Sequence, residues 1–326
     1  WHWCMPFDLE TGKSLMEFDR EDYSDVTRDY LLKKMKEDPS VVTITSATPT
    51  VMGFTEDKRK EAGSQFIDVG IAEETAVALA SGIAANGGKP VYGVYSSFIQ
   101  RTYDQLTQDL CINNNPATIV VFAGSVYGMN DVTHLGFQDI PMLSNIPNLV
   151  YLAPTTKEEY IAMLDWSIEQ NEHPVAIKLP GGAMVSGSPV TKNFGDLNKY
   201  EVTQKGSKVA LLGLGTFYSL ANAAADEMKS EFGIDATVIN PYYITGLDEE
   251  LLENLKAEHS VVITIEDGIL DGGFGEKIAR FYGDSDMKVL NYGLKKEFLD
   301  RYDVEEVLKD NRLDAEMIVE DVKGLL

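Results

Sequence analysis

The chain is short of cysteine, of histidine and of positive charge, and each scarcity removes a class of function. Its two cysteines, Cys4 and Cys111, offer neither a disulfide framework nor a thiolate metal spacing. A reducing compartment, and so a cytoplasmic location, is the simplest expectation. Lys and Arg total 28 against 52 Asp and Glu, for a formal net charge of −24. Gripping nucleic acid or an anionic membrane needs clustered cations, so neither is an expected partner. Long apolar runs are missing too. Stretches such as Thr118-Ile-Val-Val-Phe-Ala123 are far too short to span a bilayer.

What remains is ordinary globular material, with 44% hydrophobic and 25% charged residues. At 326 residues the chain is long enough for two domains, each with its own core. It opens at Trp1, not Met, in an extended segment rich in Trp, His, Met and Pro. That start reads as the tail of a linker, and the expectation is a piece of a longer polypeptide.

The most informative stretch is Phe66-Ile-Asp-Val-Gly-Ile-Ala-Glu-Glu-Thr-Ala-Val77. A short apolar strand meets a glycine and then a helix whose first turn carries Glu73 and Glu74. Ile71, Ala72, Ala76, Val77, Leu79, Ala80, Ile83 and Ala84 recur at helical spacing until Gly87-Gly88 ends the run. Adjacent helical residues lie about 100° apart, so at most one of the two carboxylates faces inward. The helix dipole alone favours acids there by roughly 0.3–1 kcal/mol, so two surface acids would satisfy the pattern equally.

Two further segments remove that ambiguity: Val91-Tyr-Gly-Val-Tyr-Ser-Ser-Phe-Ile-Gln-Arg-Thr-Tyr-Asp-Gln105 and Asp131-Val-Thr-His-Leu-Gly-Phe-Gln-Asp139. With Asp68-Val-Gly-Ile-Ala-Glu73 they resemble the pyrimidine-binding domain of the transketolase family of thiamine diphosphate enzymes. Within it they look nearest to the 1-deoxy-D-xylulose-5-phosphate synthases. The resemblance covers essentially the whole chain. Trp1-His-Trp and Phe7-Asp resemble the family's linker. Gly213-Leu-Gly-Thr216, Ile265-Glu-Asp267 and Gly272-Gly273 resemble its C-terminal domain.

The resemblance implies roles. Glu73 sits where the family's glutamate exchanges a proton with the cofactor's aminopyrimidine ring, while Glu74 stands where glutamine is common in the synthases. Phe98 matches the aromatic packed on that ring, with Tyr95 beside it; two aromatics at such spacing are otherwise ordinary core. Arg101 matches an arginine near the ring, and a simple ion pair with Asp104 at i+3 is its alternative. Thr133-His134 matches the active-site Thr-His pair, which meets the substrate's hydroxyl or carbonyl. His2 matches a linker histidine that approaches the reacting centre. His173 and His259 have no such support. Gly272-Gly273-Phe-Gly275 is too weak for a dinucleotide loop and reads as a tight turn before a helix. No Gly-Asp-Gly motif precedes a helix, so no metal ligands are assigned. Thiamine diphosphate and its Mg2+ are expected to need an N-terminal diphosphate-binding domain, in cis or as a separate chain. The pyrimidine-binding domain is expected to pair with itself in a homodimer.

The substrate side departs from the synthases. They hold an acceptor phosphate with two arginines; the matching positions here fall at about Ala123 and at Gly181, in Lys178-Leu-Pro-Gly-Gly182. The acidic residue of their Asp-Gly-Pro-Thr-His stretch aligns with Asn130, beside Asp131. Tyr95, Asn130, His134 and Lys178 are therefore the candidate substrate contacts, with Lys178 as a partial substitute for an arginine fork. An unphosphorylated acceptor is one expectation. A 2-oxo acid dehydrogenase beta subunit and a non-catalytic dimerisation module are the alternatives.

Strand and helix signals alternate along the chain, implying two doubly wound α/β domains. The expected layout is a linker over 1–22, a pyrimidine-binding domain over 23–185 and a C-terminal domain over 186–326. A helix from Tyr23 capped by Ser24, one continuous helix over Phe98–Asp109, and a long loop from Gly124 to Gln138 are the expectations that matter below.

Overall fold

The computed structural model describes residues 8–11, 22–181 and 184–325. His2 lies outside them. The first half begins with α1 (Tyr23–Glu37), capped by Asp22, whose side chain accepts from the Asp25 backbone N–H; Ser24, the expected cap, is already one residue into the helix. There follow β1 (Val41–Thr45), α2 (Glu56–Ala62), β2 (Phe66–Asp68), α3 (Glu73–Ala85) and β3 (Lys89–Tyr95). The segment after β3 is broken. It runs as α4 (Ser96–Ile99), a 3-10 turn (Gln100–Thr102), α5 (Tyr103–Gln105) and a π-helical stretch (Leu106–Cys111). Then come β4 (Thr118–Phe122), α6 (Asp139–Leu143), β5 (Val150–Leu152), α7 (Lys157–Glu169) and β6 (Val175–Lys178).

These six strands form one parallel sheet in the order β2-β1-β3-β4-β6-β5. Consecutive strands go to opposite sides of β1, so the chain changes direction between β1 and β3. Crevices at such a switch point, outside the carboxyl ends of the strands, are where open α/β sheets bind ligands.

The second half repeats the principle with β7 (Glu201–Gln204), β8 (Lys208–Gly213), α8 (Tyr218–Phe232), β9 (Thr237–Asn240), α9 (Glu249–Leu255), β10 (His259–Ile269), α10 (Phe274–Phe281), β11 (Lys288–Leu294), α11 (Val304–Asp310) and α12 (Ala315–Lys323). Its sheet order is β11-β10-β8-β9-β7, parallel except for β7. The chain thus folds as two α/β domains. They are sewn together at Leu152–Tyr243, where Ala153 N–H donates to Tyr242 O and Ile244 N–H to Tyr151 O, each at 2.7 Å. One continuous apolar cluster runs from the first sheet to Ile239, Tyr243 and Phe274 of the second domain.

Candidate active site

Three segments leave the carboxyl ends of β2, β3 and β4, and between them they carry the described candidate residues except Lys178, which ends β6. Glu73 opens α3 on its apolar stripe. Glu73, Ala76, Val77, Ala80 and Ala84 are buried at i, i+3, i+4, i+7 and i+11, while Glu74 is only half-buried. The Glu73 residue is 3% exposed, and its Oε2 has no hydrogen-bond partner. The nearest cation is Arg101, whose Nε stands 3.6 Å from that oxygen, an ion pair rather than a hydrogen bond. Arg101 pairs with Glu73, not with the Asp104 offered as its alternative. Glu74 Oε2 is likewise buried and unpartnered. Both carboxylates lie near the buried Tyr92 phenol. Burial first, then their charge, pushes Tyr92 well above its ordinary range, and its hydroxyl meets Ser46 Oγ at 2.9 Å.

Tyr95, the last residue of β3, meets Phe98 edge-on at 5.6 Å. Phe98 in turn packs against the His134 ring at 5.3 Å. Arg101, in the 3-10 turn three residues beyond Phe98, meets Glu73, and Phe98 meets Tyr95 and His134, so one short stretch of chain links Glu73, Arg101, Phe98, Tyr95 and His134. The His134 ring is oriented from its Nδ1 side. Thr133 Oγ1 stands 2.8 Å from that nitrogen and Asp131 Oδ2 2.9 Å from it. Hydrogen bonds from Thr133 first, and then from His134, hold the Asp131 carboxyl below its ordinary value, with burial opposing. With Nδ1 committed to Asp131, Nε2 has no partner among the described residues and is the end able to accept or return a proton.

Two candidates sit differently from expectation. Lys178 is 6% exposed, and its ammonium bonds Asp139 Oδ1 and Oδ2 at 2.7 and 2.9 Å. Asp139 is itself buried and accepts a further hydrogen bond from Tyr151. Lys178 is therefore half of an internal ion pair, with no charge left over to stand in for an arginine fork. Asn130 donates through Nδ2 to Tyr302 O at 3.2 Å, and the acid beside it, Asp131, is the one that meets His134. Ala123 and Gly181 present no cation. A Cβ at Gly181 would stand 2.4 Å from Tyr127 O and 2.6 Å from Gly128 Cα, so the fold admits no side chain there.

Sequence reasoning passed over a second buried carboxylate pair. The Gly272–Gly275 turn brings the Phe274 and Gly275 N–H groups onto Glu266 at 2.8 and 2.7 Å, so it serves an internal carboxylate as well as a change of direction. Burial pushes Glu266 up to about 7 against those bonds. Asp267 reaches across the domain boundary to Ser125 Oγ and Val126 N at 2.5 and 2.8 Å. The signal was Ile265-Glu-Asp267, two acids closing an apolar strand. No group of three or more His, Cys, Asp or Glu suited to a metal occurs among the described residues. No described helix is long and apolar enough to cross a membrane.

Comparison with known proteins identifies both domains. Residues 20–184 match the family model described as transketolase, pyrimidine binding domain, and residues 198–318 match transketolase, C-terminal domain. The 1-deoxy-D-xylulose-5-phosphate synthase of Clostridium perfringens (strain SM101) is 36% identical over 320 residues, 98% of this chain and 51% of that protein. Its counterpart in Caldanaerobacter subterraneus is 35% identical over 323 residues, again 98% and 51%. The chain thus spans about half the length of the curated relatives it matches. Among solved structures, a split-gene transketolase described as an inactive β4 tetramer superposes with a TM-score of 0.76 at 22% identity, covering 92% of this chain and 96% of that one. A Pichia stipitis transketolase solved with sedoheptulose-7-phosphate gives 0.74 at 17%, covering 93% and 45%. At those identities the likeness is one of fold.

Proposed function

Since the chain belongs to the transketolase family and carries its pyrimidine-binding and C-terminal domains, we propose that it forms the aminopyrimidine-facing half of a thiamine-diphosphate-dependent transferase. The enzyme would pass an activated carbon fragment to an aldehyde or ketone acceptor in the cytoplasm. The observation that carries this is Glu73 Oε2. A carboxylate atom buried without a partner is costly unless something absent completes it. A ring nitrogen of the cofactor answers that need, so the residues present fit the group.

Bound thiamine diphosphate supplies the electron sink for making and breaking carbon–carbon bonds. Glu73 holds the proton that its Oε2 shares with the aminopyrimidine ring, away from bulk water. Phe98 offers a face for ring packing, and Arg101 balances the Glu73 charge. Tyr95, edge-on to Phe98, braces that ring from the end of β3. His134, oriented by Asp131 and Thr133, gives a proton to the acceptor's carbonyl oxygen from Nε2 or takes one from its hydroxyl. Mg2+ and the diphosphate fall to a separate N-terminal domain, in cis or in another chain, and a second copy pairs through the pyrimidine-binding domain. The 77% exposed Ile71 beside Glu73 is an apolar group that such pairing would cover.

The fold also favours an unphosphorylated acceptor. Lys178 is neutralised by Asp139, and the packing at Gly181 leaves no room for an arginine.

The reading is tested by exchange of the cofactor's C2 proton, followed by NMR in the chain assembled with a diphosphate-binding half. Glu73→Gln should slow exchange and turnover by about 10²–10⁴-fold with the fold intact. Near-normal exchange would shift the role to Glu74, whose Oε2 is also unpartnered.

A further inference from the structure

The loop Gly124–Gln138 carries Asp131, Thr133 and His134, yet it contains no helix or strand. Loops of this length need outside partners for their backbone. Much of that support comes from the other domain. Tyr302 Oη donates to Val126 O at 2.8 Å. Arg301 N–H donates to Asn130 O at 2.6 Å, and Asn130 Nδ2 returns a bond to Tyr302 O at 3.2 Å. Asp300 Oδ1 accepts from Val132 N–H at 3.2 Å, two residues before His134. Ile269 N–H donates to Phe137 O at 3.1 Å. The loop's own apolar side chains, Val126, Leu135 and Phe137, are buried in the second domain's core with Val209, Leu211 and Ile263 rather than in the first domain's. Arg301 adopts a left-handed φ of +51° to make its contact. A non-glycine residue persists there only where its surroundings over-determine it.

We infer that Asp300, Arg301 and Tyr302 are positioning residues: a clamp through which the C-terminal domain fixes the loop that presents His134 to the acceptor. This rests on the reading of His134 as the acceptor-facing group. Its consequence is that the C-terminal domain takes part in the acceptor half of the reaction, although none of its residues belongs to the Glu73 cluster. The hydrogen bonds of the clamp go to Val126, Asn130 and Val132 and none goes to Glu73, so the donor half, where Glu73 and the cofactor act, feels the clamp less directly.

That asymmetry is the test. Asp300→Ala removes the acceptor for Val132 N–H, while Asp300→Asn keeps an oxygen there. In the assembled enzyme Asp300→Ala should lower kcat/KM for the acceptor by roughly 10–100-fold, the scale of a misplaced reacting group. Cofactor C2 proton exchange should be unchanged, and Asp300→Asn should restore most of the loss. In the chain itself, amide hydrogen exchange at Val132–His134 should accelerate about 10-fold in Asp300→Ala, with the strands of both sheets unaffected. His134→Ala serves as the control. If His134→Ala loses the acceptor step while Asp300→Ala keeps both that step and its loop protection, the clamp is refuted and His134 stands. If His134→Ala keeps the acceptor step, the role of His134 falls and the clamp falls with it. Equal loss of C2 exchange and acceptor step in Asp300→Ala, without rescue by Asn, would show general destabilisation instead of positioning.

Discussion

Glu73 opens helix α3 and Glu266 lies in strand β10 facing the first turn of α10; both are buried carboxylates, and they differ in one respect that separates site from scaffold. Glu266 has both oxygens filled, by the N–H groups of Phe274 and Gly275, whereas Glu73 Oε2 has none. A satisfied buried acid shapes stability; an unsatisfied one awaits a ligand. The Glu266 carboxyl rises from its ordinary 4.5 to about 7, chiefly through burial, with the Lys277 and Lys178 charges opposing. Its folded value lies above its unfolded one, so the folded state binds this proton more tightly. The stabilisation is full below about pH 4.5 and is lost as the pH climbs to about 7. It amounts to something on the order of 3 kcal/mol. Urea midpoints between pH 4.5 and 7.5 should therefore fall more steeply for the wild type than for Glu266→Gln. Parallel profiles would mean that Glu266 is already ionised at the acid end. Lys277 is pushed down to about 8 by burial with the Glu266 charge opposing, so the comparison is read on the acid side of this window, before Lys277 titrates.

Whole elements were legible wherever a local period dominated. Val41–Thr45, Thr118–Phe122 and Phe274–Phe281 have the bounds that their apolar patterns imply. The expected continuous helix over Phe98–Asp109 breaks into four pieces. Thr102 Oγ1 bonds Ile99 O and Thr107 Oγ1 bonds Tyr103 O, so two hydroxyls compete for helix carbonyls in successive turns. A π-helical stretch inside a helix is often found beside functional groups, and this one follows Phe98 and Arg101. The edge strand β7 escaped notice because it is short, polar and antiparallel. So did α6, which is five residues long with Pro141 inside it. The loop after β4 was expected, but its tight closure was not. A Cβ at Gly136 would stand 1.8 Å from Ala123 O, in a segment where Ser96 Oγ also bonds Gly136 O at 2.5 Å. Gly136→Ala must push the loop away from β4, at a cost of roughly 1–3 kcal/mol. Thermal unfolding should register it as a drop of several degrees, together with weaker packing between Phe98 and His134. An unchanged melting temperature would show that the loop yields freely and is not held by this contact.

At the scale of the molecule, motif words revealed the Glu73–Phe98–His134 cluster because each word is local. The residues that hold the cluster together come from far along the chain, Asp300 to Val132 and Asp267 to Ser125, and no short pattern announces such pairs. The same limit applies to what was read at Lys178. A lysine beside a missing arginine suggested a substitute in the sequence, but the fold joins it to Asp139, which stands 39 positions away. This bears on the acceptor. Each charge-assisted arginine–phosphate bond is worth about 1.5–3 kcal/mol, so lacking two should weaken a phosphorylated acceptor by roughly 10²–10⁴-fold. In the assembled enzyme, kcat/KM for glyceraldehyde should accordingly equal or exceed that for glyceraldehyde 3-phosphate. Gly181→Arg should not rescue the phosphorylated sugar, because its side chain collides with the Tyr127 and Gly128 backbone before it reaches any ligand. A preference of 10²-fold or more for glyceraldehyde 3-phosphate in the unmodified enzyme would mean that another cation takes the phosphate. Arg301 is then the first residue to substitute: it stands against Asn130 in the clamp, and its guanidinium has no ion-pair partner among the described residues.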